Sequence, residues 1–225
     1  MTGSAVEFRR PDGATAPGYF APAAGAGAPG VVLLQEWWGL DAHIKETADR
    51  LAGEGFNVIV PDLYRGRVAA TGDEANHLME GLNFGDAATQ DASGAARYLR
   101  ERGAQRVAVM GFCMGGALAL LSAMFDAGPF DAVVAFYGYP PAEAGDPSRI
   151  RIPVLGHWAI HDEFFNAAGV DVLEGKLKAG GAPYEFHRYE AKHAFYNPGG
   201  IGNYEPDSAE TAWRRTVEFL TRTLR

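Results

Sequence analysis

The sequence lacks the features that mark several large classes of protein. It has a single cysteine among 225 residues, so an intramolecular disulfide is excluded and no oxidising compartment is indicated. Neither a CxxC pair nor an HExxH sequence is present, so we predict no metal site and no cofactor. No apolar run approaches the ~20 residues that a membrane span needs, and residues 1–13 do not resemble a signal peptide. We therefore predict a cytoplasmic protein with no membrane partner.

An excess of basic residues is also missing. Lysine and arginine number 20 against 28 acidic residues, and the formal net charge is -8. This balance argues against nucleic-acid binding, for which a basic patch is expected. Hydrophobic residues make up 47% of the chain, and the length suits a single globular domain over residues 1–225. Because no heptad repeat or exposed apolar stripe suggests an obligate partner, we predict a monomer that acts on a small molecule.

Short apolar segments alternate with helical patterns after a strand-turn-strand pattern in residues 1–30. The apolar runs predict strands at 31–34, 56–60, 106–110, 132–136, 153–156 and 184–189, and helical spacing predicts helices after Asp41 and over 74–82, 87–102, 115–125, 170–179 and 209–224. Such alternation is typical of a mainly parallel central sheet flanked by helices on both faces. In such an α/β sheet, functional residues follow the carboxyl ends of the strands.

The predicted strand at 106–110 runs directly into the sequence GFCMGG at 111–116 and then into a helix. This is the G-x-S-x-G elbow of α/β-hydrolases, with Cys113 in the serine position. The turn is tight, so Gly111 and Gly115 are needed because a β-carbon there would clash. The helix amino terminus beneath the sulfur is expected to favour a thiolate. We interpret Cys113 as a nucleophile rather than as a buried structural cysteine.

A cysteine nucleophile of this kind needs a base, and the base needs an acid that fixes its tautomer. The chain order in α/β-hydrolases is nucleophile, acid, histidine. His193 is favoured as the base over its rival His161, because it lies in the loop before the last helix. Asp162 and Glu163 compete for the position of the acid, and Asp162 is favoured.

The other histidines receive different interpretations. His43 and His77 lie on predicted polar helix surfaces and are interpreted as solvated residues. His157 lies at a predicted strand end, where it is a candidate for lining the pocket, and His187 lies within a strand.

Over nearly its whole length, the sequence resembles the dienelactone hydrolase family, the carboxymethylenebutenolidases. The resemblance is carried by VVLLQE at 31–36 with WWG at 37–39, PDLY at 61–64, GFCMGG at 111–116, FYG at 136–138 and KHAF at 192–195. It implies an α/β-hydrolase fold and hydrolysis of a lactone or ester through an acyl-enzyme. It also implies a catalytic triad of Cys113, Asp162 and His193.

The resemblance implies two further elements of the site. Glu36 is expected to approach the thiol and to hold it in check until substrate arrives. The oxyanion hole is expected to use the backbone N–H groups of Trp37 and Met114, which would stabilise charge that develops only in the transition state.

The sequence departs from the family at the residues that hold an anionic substrate. Family members that act on dienelactone clamp its carboxylate with two arginines. Neither the stretch HAFYNP at 193–198 nor residues 73–77 contain an arginine. Arg65 or Arg67 is a candidate replacement, and otherwise the substrate is neutral or more apolar. An aromatic pocket is predicted from Trp37, Trp38, Tyr64, Tyr137, Trp158, Phe195 and Tyr196.

Two alternatives remain open at this stage. The first is a general carboxylesterase or lactonase that acts on a neutral substrate with the same triad. The second belongs to a different class, a non-catalytic binding or redox-responsive protein that uses Cys113.

Overall fold

A computed structural model describes residues 3–125 and 129–225. Its centre is an eight-stranded sheet with the order β1-β2-β4-β3-β5-β6-β7-β8. The strands are β1 (Ser4–Arg9), β2 (Thr15–Ala21), β3 (Gly30–Leu34), β4 (Asn57–Pro61), β5 (Val107–Phe112), β6 (Ala132–Phe136), β7 (Val154–His161) and β8 (Tyr184–Lys192). The pairs β1/β2 and β2/β4 are antiparallel, and the other neighbours are parallel. The predicted mainly parallel sheet is confirmed, whereas one domain over 1–225 stays a prediction.

Helices connect the strands. They are α1 (Ala42–Gly53), α2 (Gly72–Glu80), α3 (Phe84–Asp86), α4 (Ala92–Glu101), α5 (Met114–Phe125), α6 (Ala167–Gly180) and α7 (Pro206–Leu224). Asp41 caps α1 as expected, since its side chain accepts the Ile44 N–H at 2.9 Å. The helix predicted over 87–102 is interrupted, because Ala87–Asp91 form a π-helical turn before α4. No helix in the two described ranges is long and apolar enough to cross a membrane.

The apolar strands are buried because helices cover both faces of the sheet. Every residue of β3, β4, β5 and β6 is buried. Successive strand residues point to opposite faces: Val31 and Leu33 share a core cluster with Ile44 of α1, whereas Val32 and Leu34 share one with Leu99 of α4. Each such aliphatic side chain contributes ~1.5–3 kcal/mol when fully buried. Continuous apolar runs rather than alternating ones follow from this two-sided burial.

Strands β7 and β8 are longer than the sequence predicts. The two strands pair from Val154↔Tyr184 to His161↔Lys192, with an irregularity between Ala159 and His161. As a result, β7 ends immediately before Asp162 and β8 ends immediately before His193. The parallel arrangement therefore brings the ends of β5, β7 and β8 to one edge of the sheet.

Candidate active site

Cys113 lies in a strained turn between β5 and α5. Its φ of 53° is in the left-handed region, its N–H donates to the Phe136 carbonyl at 3.0 Å, and its carbonyl accepts from Ala117 N–H at 3.1 Å. A β-carbon at Gly111 would lie 2.1 Å from the Gly115 carbonyl oxygen, and one at Gly115 would meet the backbone of Leu34 at 2.3 Å. Glycine is therefore required at both positions for the turn to form.

His193 connects the thiol to a buried carboxylate. Its Nε2 lies 3.2 Å from Cys113 Sγ, and its Nδ1 lies 2.8 Å from Asp162 Oδ2. The other oxygen of Asp162 accepts the backbone N–H groups of Phe164 and Phe165, both at 2.8 Å. Because the carboxylate side chain is 0% exposed and both oxygens are bound, its orientation is fixed. This geometry allows His193 to accept the thiol proton at Nε2 while Nδ1–H donates to Asp162.

The rival acid and base point elsewhere. Glu163 is exposed, whereas its neighbour Asp162 is buried. The exposed imidazole of His161 bonds to Glu190 on the adjacent strand β8. His161 is the last residue of β7, whereas Asp162 and Glu163 lie in the loop after it, where the Asp162 side chain accepts the backbone N–H groups of Phe164 and Phe165.

Glu36 is a buried acid beside the thiol. Its Oε1 accepts from Tyr137 Oη at 3.2 Å and its Oε2 accepts from Asn197 Nδ2 at 2.5 Å. Burial raises the pKa of Glu36 to about 7, against the lowering effect of the Asn197 hydrogen bond. The carboxyl group therefore titrates close to neutral pH.

The thiol differs from the expectation based on its position before a helix. Burial raises the pKa of Cys113, and the negative charge of Glu36 raises it further, while the Met114 backbone N–H acts in the opposite direction. A helix amino terminus supplies only a partial positive charge, which is smaller than the combined cost of burial and a nearby carboxylate. The resting cysteine is therefore a neutral thiol that needs a base, and this weighs against the redox-responsive alternative.

The site opens into a cavity of about 510 Å³. Glu36, Cys113 and His193 lie on its wall together with the two residues expected to form the oxyanion hole, Trp37 and Met114. Met114 is the first residue of α5, so its N–H lies outside the intrahelical hydrogen-bond ladder. The rest of the wall is mostly apolar, and lysine and arginine are absent from its described residues: Trp38, Asn76, Met79, Phe84, Ala117, Tyr139, Pro141, Phe164, Phe165, Ala194 and Ile201.

A comparison with protein families matches residues 16–224 to the dienelactone hydrolase family. The chain belongs to this family. Protein usf of Aquifex pyrophilus is 36% identical over 97% of each sequence, and carboxymethylenebutenolidase of Rhodococcus opacus is 30% identical over 86% of this chain and 81% of its own length. A solved structure of a candidate dienelactone hydrolase from Klebsiella pneumoniae has a TM-score of 0.83 at 27% identity, covering 99% of this chain and 100% of its own.

These matches confirm three predictions from the sequence. The family resemblance is correct, the fold is that of an α/β-hydrolase, and the protein is a hydrolase of the class that acts on esters or lactones.

In this dienelactone hydrolase family member, most of the aromatic residues predicted to bind substrate are core residues. Trp37 and Trp38 line the cavity, whereas Tyr64 is buried with Oη 3.4 Å from Met114 Sδ, and Tyr137 is buried behind Glu36. The remaining three are at most 5% exposed and pack on other rings away from the cavity wall: Trp158 on Phe186, Phe195 on Tyr137 and Tyr189, and Tyr196 on Phe112 and Trp213. The positions of these residues in the sequence do not reveal whether their rings point into the cavity or into the core.

Arg65, a candidate replacement for the arginine clamp, binds a buried acid in the structure. Arg65 Nη2 makes hydrogen bonds of 2.8 and 2.9 Å to the Asp91 carboxylate, and its Nη1 donates to the Asp62 carbonyl. Asp91 is only 1% exposed, so its charge requires a partner. Arg65 neutralises this buried acid, and among the described residues of the cavity wall neither Arg65 nor Arg67 is found.

Two histidines also differ from their predicted positions. His43 is half-buried against the rings of Phe112 and Tyr196, and burial lowers its pKa. His157 is completely buried, with its ring nitrogens bound to Tyr189 Oη at 2.8 Å and Thr216 Oγ1 at 3.0 Å, rather than on the cavity wall. His77 is exposed, as predicted.

The structure adds site residues that the sequence analysis missed. Phe164 and Phe165 follow the acid directly, and their rings lie 5.0 and 5.5 Å from the His193 ring. Asn197 lies four residues after His193, in a stretch where the expected ligand is an arginine. The signal that the sequence offers is an amide side chain in place of the expected arginine.

Proposed function

We propose that this protein hydrolyses neutral, largely apolar esters or lactones through a covalent intermediate on Cys113. The observation that carries the proposal is the hydrogen-bonded series Cys113–His193–Asp162 on the wall of an apolar cavity. The absence of lysine and arginine from the described wall favours a neutral substrate over an anionic one.

The first step is attack of Cys113 Sγ on the substrate carbonyl. His193 Nε2, 3.2 Å away, accepts the thiol proton as the bond forms. Asp162 stabilises the resulting imidazolium and keeps Nδ1 protonated. This transfer is necessary because burial keeps the resting thiol protonated.

The second step is collapse of the tetrahedral intermediate. Its oxyanion accepts the backbone N–H groups of Trp37 and Met114, and one such donor contributes roughly 3 kcal/mol in comparable sites. The alcohol oxygen leaves with the proton from His193, and a thioester on Cys113 remains. His193 then deprotonates a water molecule, which hydrolyses the thioester and releases the acid.

Dienelactone itself is the second candidate substrate. It is favoured by the names of the relatives from Rhodococcus opacus and Pseudomonas putida, both carboxymethylenebutenolidases. The cavity wall argues against it, because a substrate carboxylate would find no cationic side chain among the described lining residues and would lie near Glu36.

A substrate panel tests both candidates. Neutral p-nitrophenyl esters and uncharged lactones are compared with cis- and trans-dienelactone, and Cys113→Ala is the control. We expect kcat/KM for the best neutral ester to exceed that for dienelactone by roughly tenfold or more. Mass spectrometry of the quenched reaction should show acylation of Cys113. Full turnover by Cys113→Ala would refute the covalent mechanism, and preference for dienelactone would refute the neutral substrate.

A further inference from the structure

Two side chains from different parts of the chain hold the Glu36 carboxylate. Tyr137, immediately after β6, donates to Oε1, and Asn197, in the loop before α7, donates to Oε2. Glu36 and Asn197 are each 2% exposed and Tyr137 is 0% exposed. Each carboxylate oxygen is therefore bound by a neutral donor, in a part of the cavity wall without a described lysine or arginine.

The direction of the Asn197 side chain is set by its own loop. Its Oδ1 accepts the Gly199 N–H at 2.9 Å, and its backbone N–H donates to the Ala194 carbonyl at 3.0 Å. Because the amide oxygen is already engaged with a donor, the NH₂ group is the end that faces Glu36. The Asn197–Glu36 contact is thus a donor-to-carboxylate hydrogen bond with an assigned direction.

We propose that Asn197 is a positioning residue that, together with Tyr137, binds the Glu36 carboxyl and favours its ionised form in the resting enzyme. The thiol then bonds to His193, its 3.2 Å neighbour. This inference rests on the proposed role of Cys113 and adds a residue that controls its charge environment.

The effect of Asn197 on the thiol passes through the charge of Glu36. The groups that face this carboxyl are Asp41, which raises its pKa, and Asn197, His193 and Tyr137, which lower it. An ionised Glu36 in turn raises the pKa of Cys113. Without the Asn197 donor, Glu36 is expected to stay protonated to a pH about one unit higher, the effect of one hydrogen bond to a charged group. Just above neutral pH, the Cys113 thiolate is then opposed by a smaller negative charge on Glu36.

Alkylation of Cys113 by iodoacetamide measures this effect directly. Cys113 is the single cysteine of the chain, so the reaction reports one thiol and does not depend on turnover. The rate is measured against pH for the wild type and for Asn197→Leu. We expect the variant to react up to about fivefold faster near pH 8, with its profile moved to lower pH, because a one-unit rise in the pKa of Glu36 leaves about half of this carboxyl protonated there instead of about a tenth. Asn197→Ala provides a second variant if leucine prevents folding, and Tyr137→Phe should shift the profile in the same direction.

The Glu36→Gln background separates this role from a structural one. Glutamine does not titrate, so Asn197→Leu should leave the alkylation profile of Glu36→Gln unchanged. Failure of the proposed function would appear in the ester assay, where Cys113→Ala would retain turnover, and not in alkylation. A folded Asn197→Leu with the wild-type profile would overturn the inference, and so would an equal shift in the wild-type and Glu36→Gln backgrounds.

Discussion

Replacing Asp162 with asparagine should nearly abolish hydrolysis without disturbing the fold. In Asp162→Asn the amide oxygen of the new side chain can still accept the N–H groups of Phe164 and Phe165, so its NH₂ group is turned toward His193 Nδ1. Because that group donates, Nδ1 must become the acceptor and the proton must move to Nε2. The nitrogen that lies 3.2 Å from Cys113 Sγ then carries a hydrogen and cannot accept the thiol proton.

The size of the effect follows from the loss of the base in the required tautomer. The corresponding change in a serine protease lowers kcat ~10⁴-fold, and a thiol, which ionises more readily than an alcohol, should lose somewhat less, about 10³-fold or ~4 kcal/mol. The assay is kcat/KM for the best p-nitrophenyl ester, with circular dichroism to confirm folding. Glu163→Gln is the matched control, since this adjacent acid is exposed and should retain full activity. A folded Asp162→Asn variant within threefold of the wild type would refute the reasoning.

Three other changes have defined outcomes. Gly115→Ala should lower the free energy of unfolding in urea by several kcal/mol, because the new β-carbon would lie 2.3 Å from the Leu34 carbonyl oxygen; no loss would refute the strained turn. The pKa of Glu36 is raised from its ordinary 4.5 to about 7, so the unfolded state loses this proton first and wild-type stability falls as pH rises between these values. The free energy of unfolding of Glu36→Gln, measured by urea titration, should therefore equal that of the wild type near pH 4 and exceed it by ~2–3 kcal/mol near pH 8. Arg65→Ala should leave KM for esters within twofold but lower the free energy of unfolding by about 1–3 kcal/mol, because buried Asp91 loses its principal partner. A large rise in KM would instead indicate that Arg65 contacts the substrate.

The sequence predicts the centre of the sheet and the nucleophile well because both depend on local patterns. Runs such as 31–34 and 132–136 are buried on both faces, so apolar content alone identifies them. The sequence GFCMGG at 111–116 predicts its own turn, because the need for glycine arises from contacts within the turn and with one neighbouring strand. By contrast, β7 continues past its apolar run to His161, since pairing with β8 supplies hydrogen bonds that its side chains do not reveal.

The errors concern side chains whose partners are distant in sequence. Arg65 points to Asp91, which lies 26 residues away in the π-helical turn before α4, and no local pattern indicates this contact. His43 faces outward by helical periodicity, yet Tyr196 from the loop after β8 lies against it. Such pairings depend on how loops from separate strands meet at the sheet edge. Prediction is therefore weaker for the lining of the cavity than for the residues that follow each strand.

The apolar character of the cavity also limits how selective the enzyme can be. A wall that recognises substrate by shape and apolar contact discriminates a single methylene by only ~1–3 kcal/mol, or roughly 10–200-fold, whereas a charged clamp would reject neutral analogues much more strongly. With Trp37, Trp38, Phe84 and Phe165 around the thiol and Phe164 at 65% exposure, apolar contact dominates here. We therefore expect activity toward a range of neutral esters, with kcat/KM changing gradually along a homologous series of acyl chains. A sharp preference for one member, with neighbours more than ~10³-fold slower, would show that a polar contact of the wall selects the substrate.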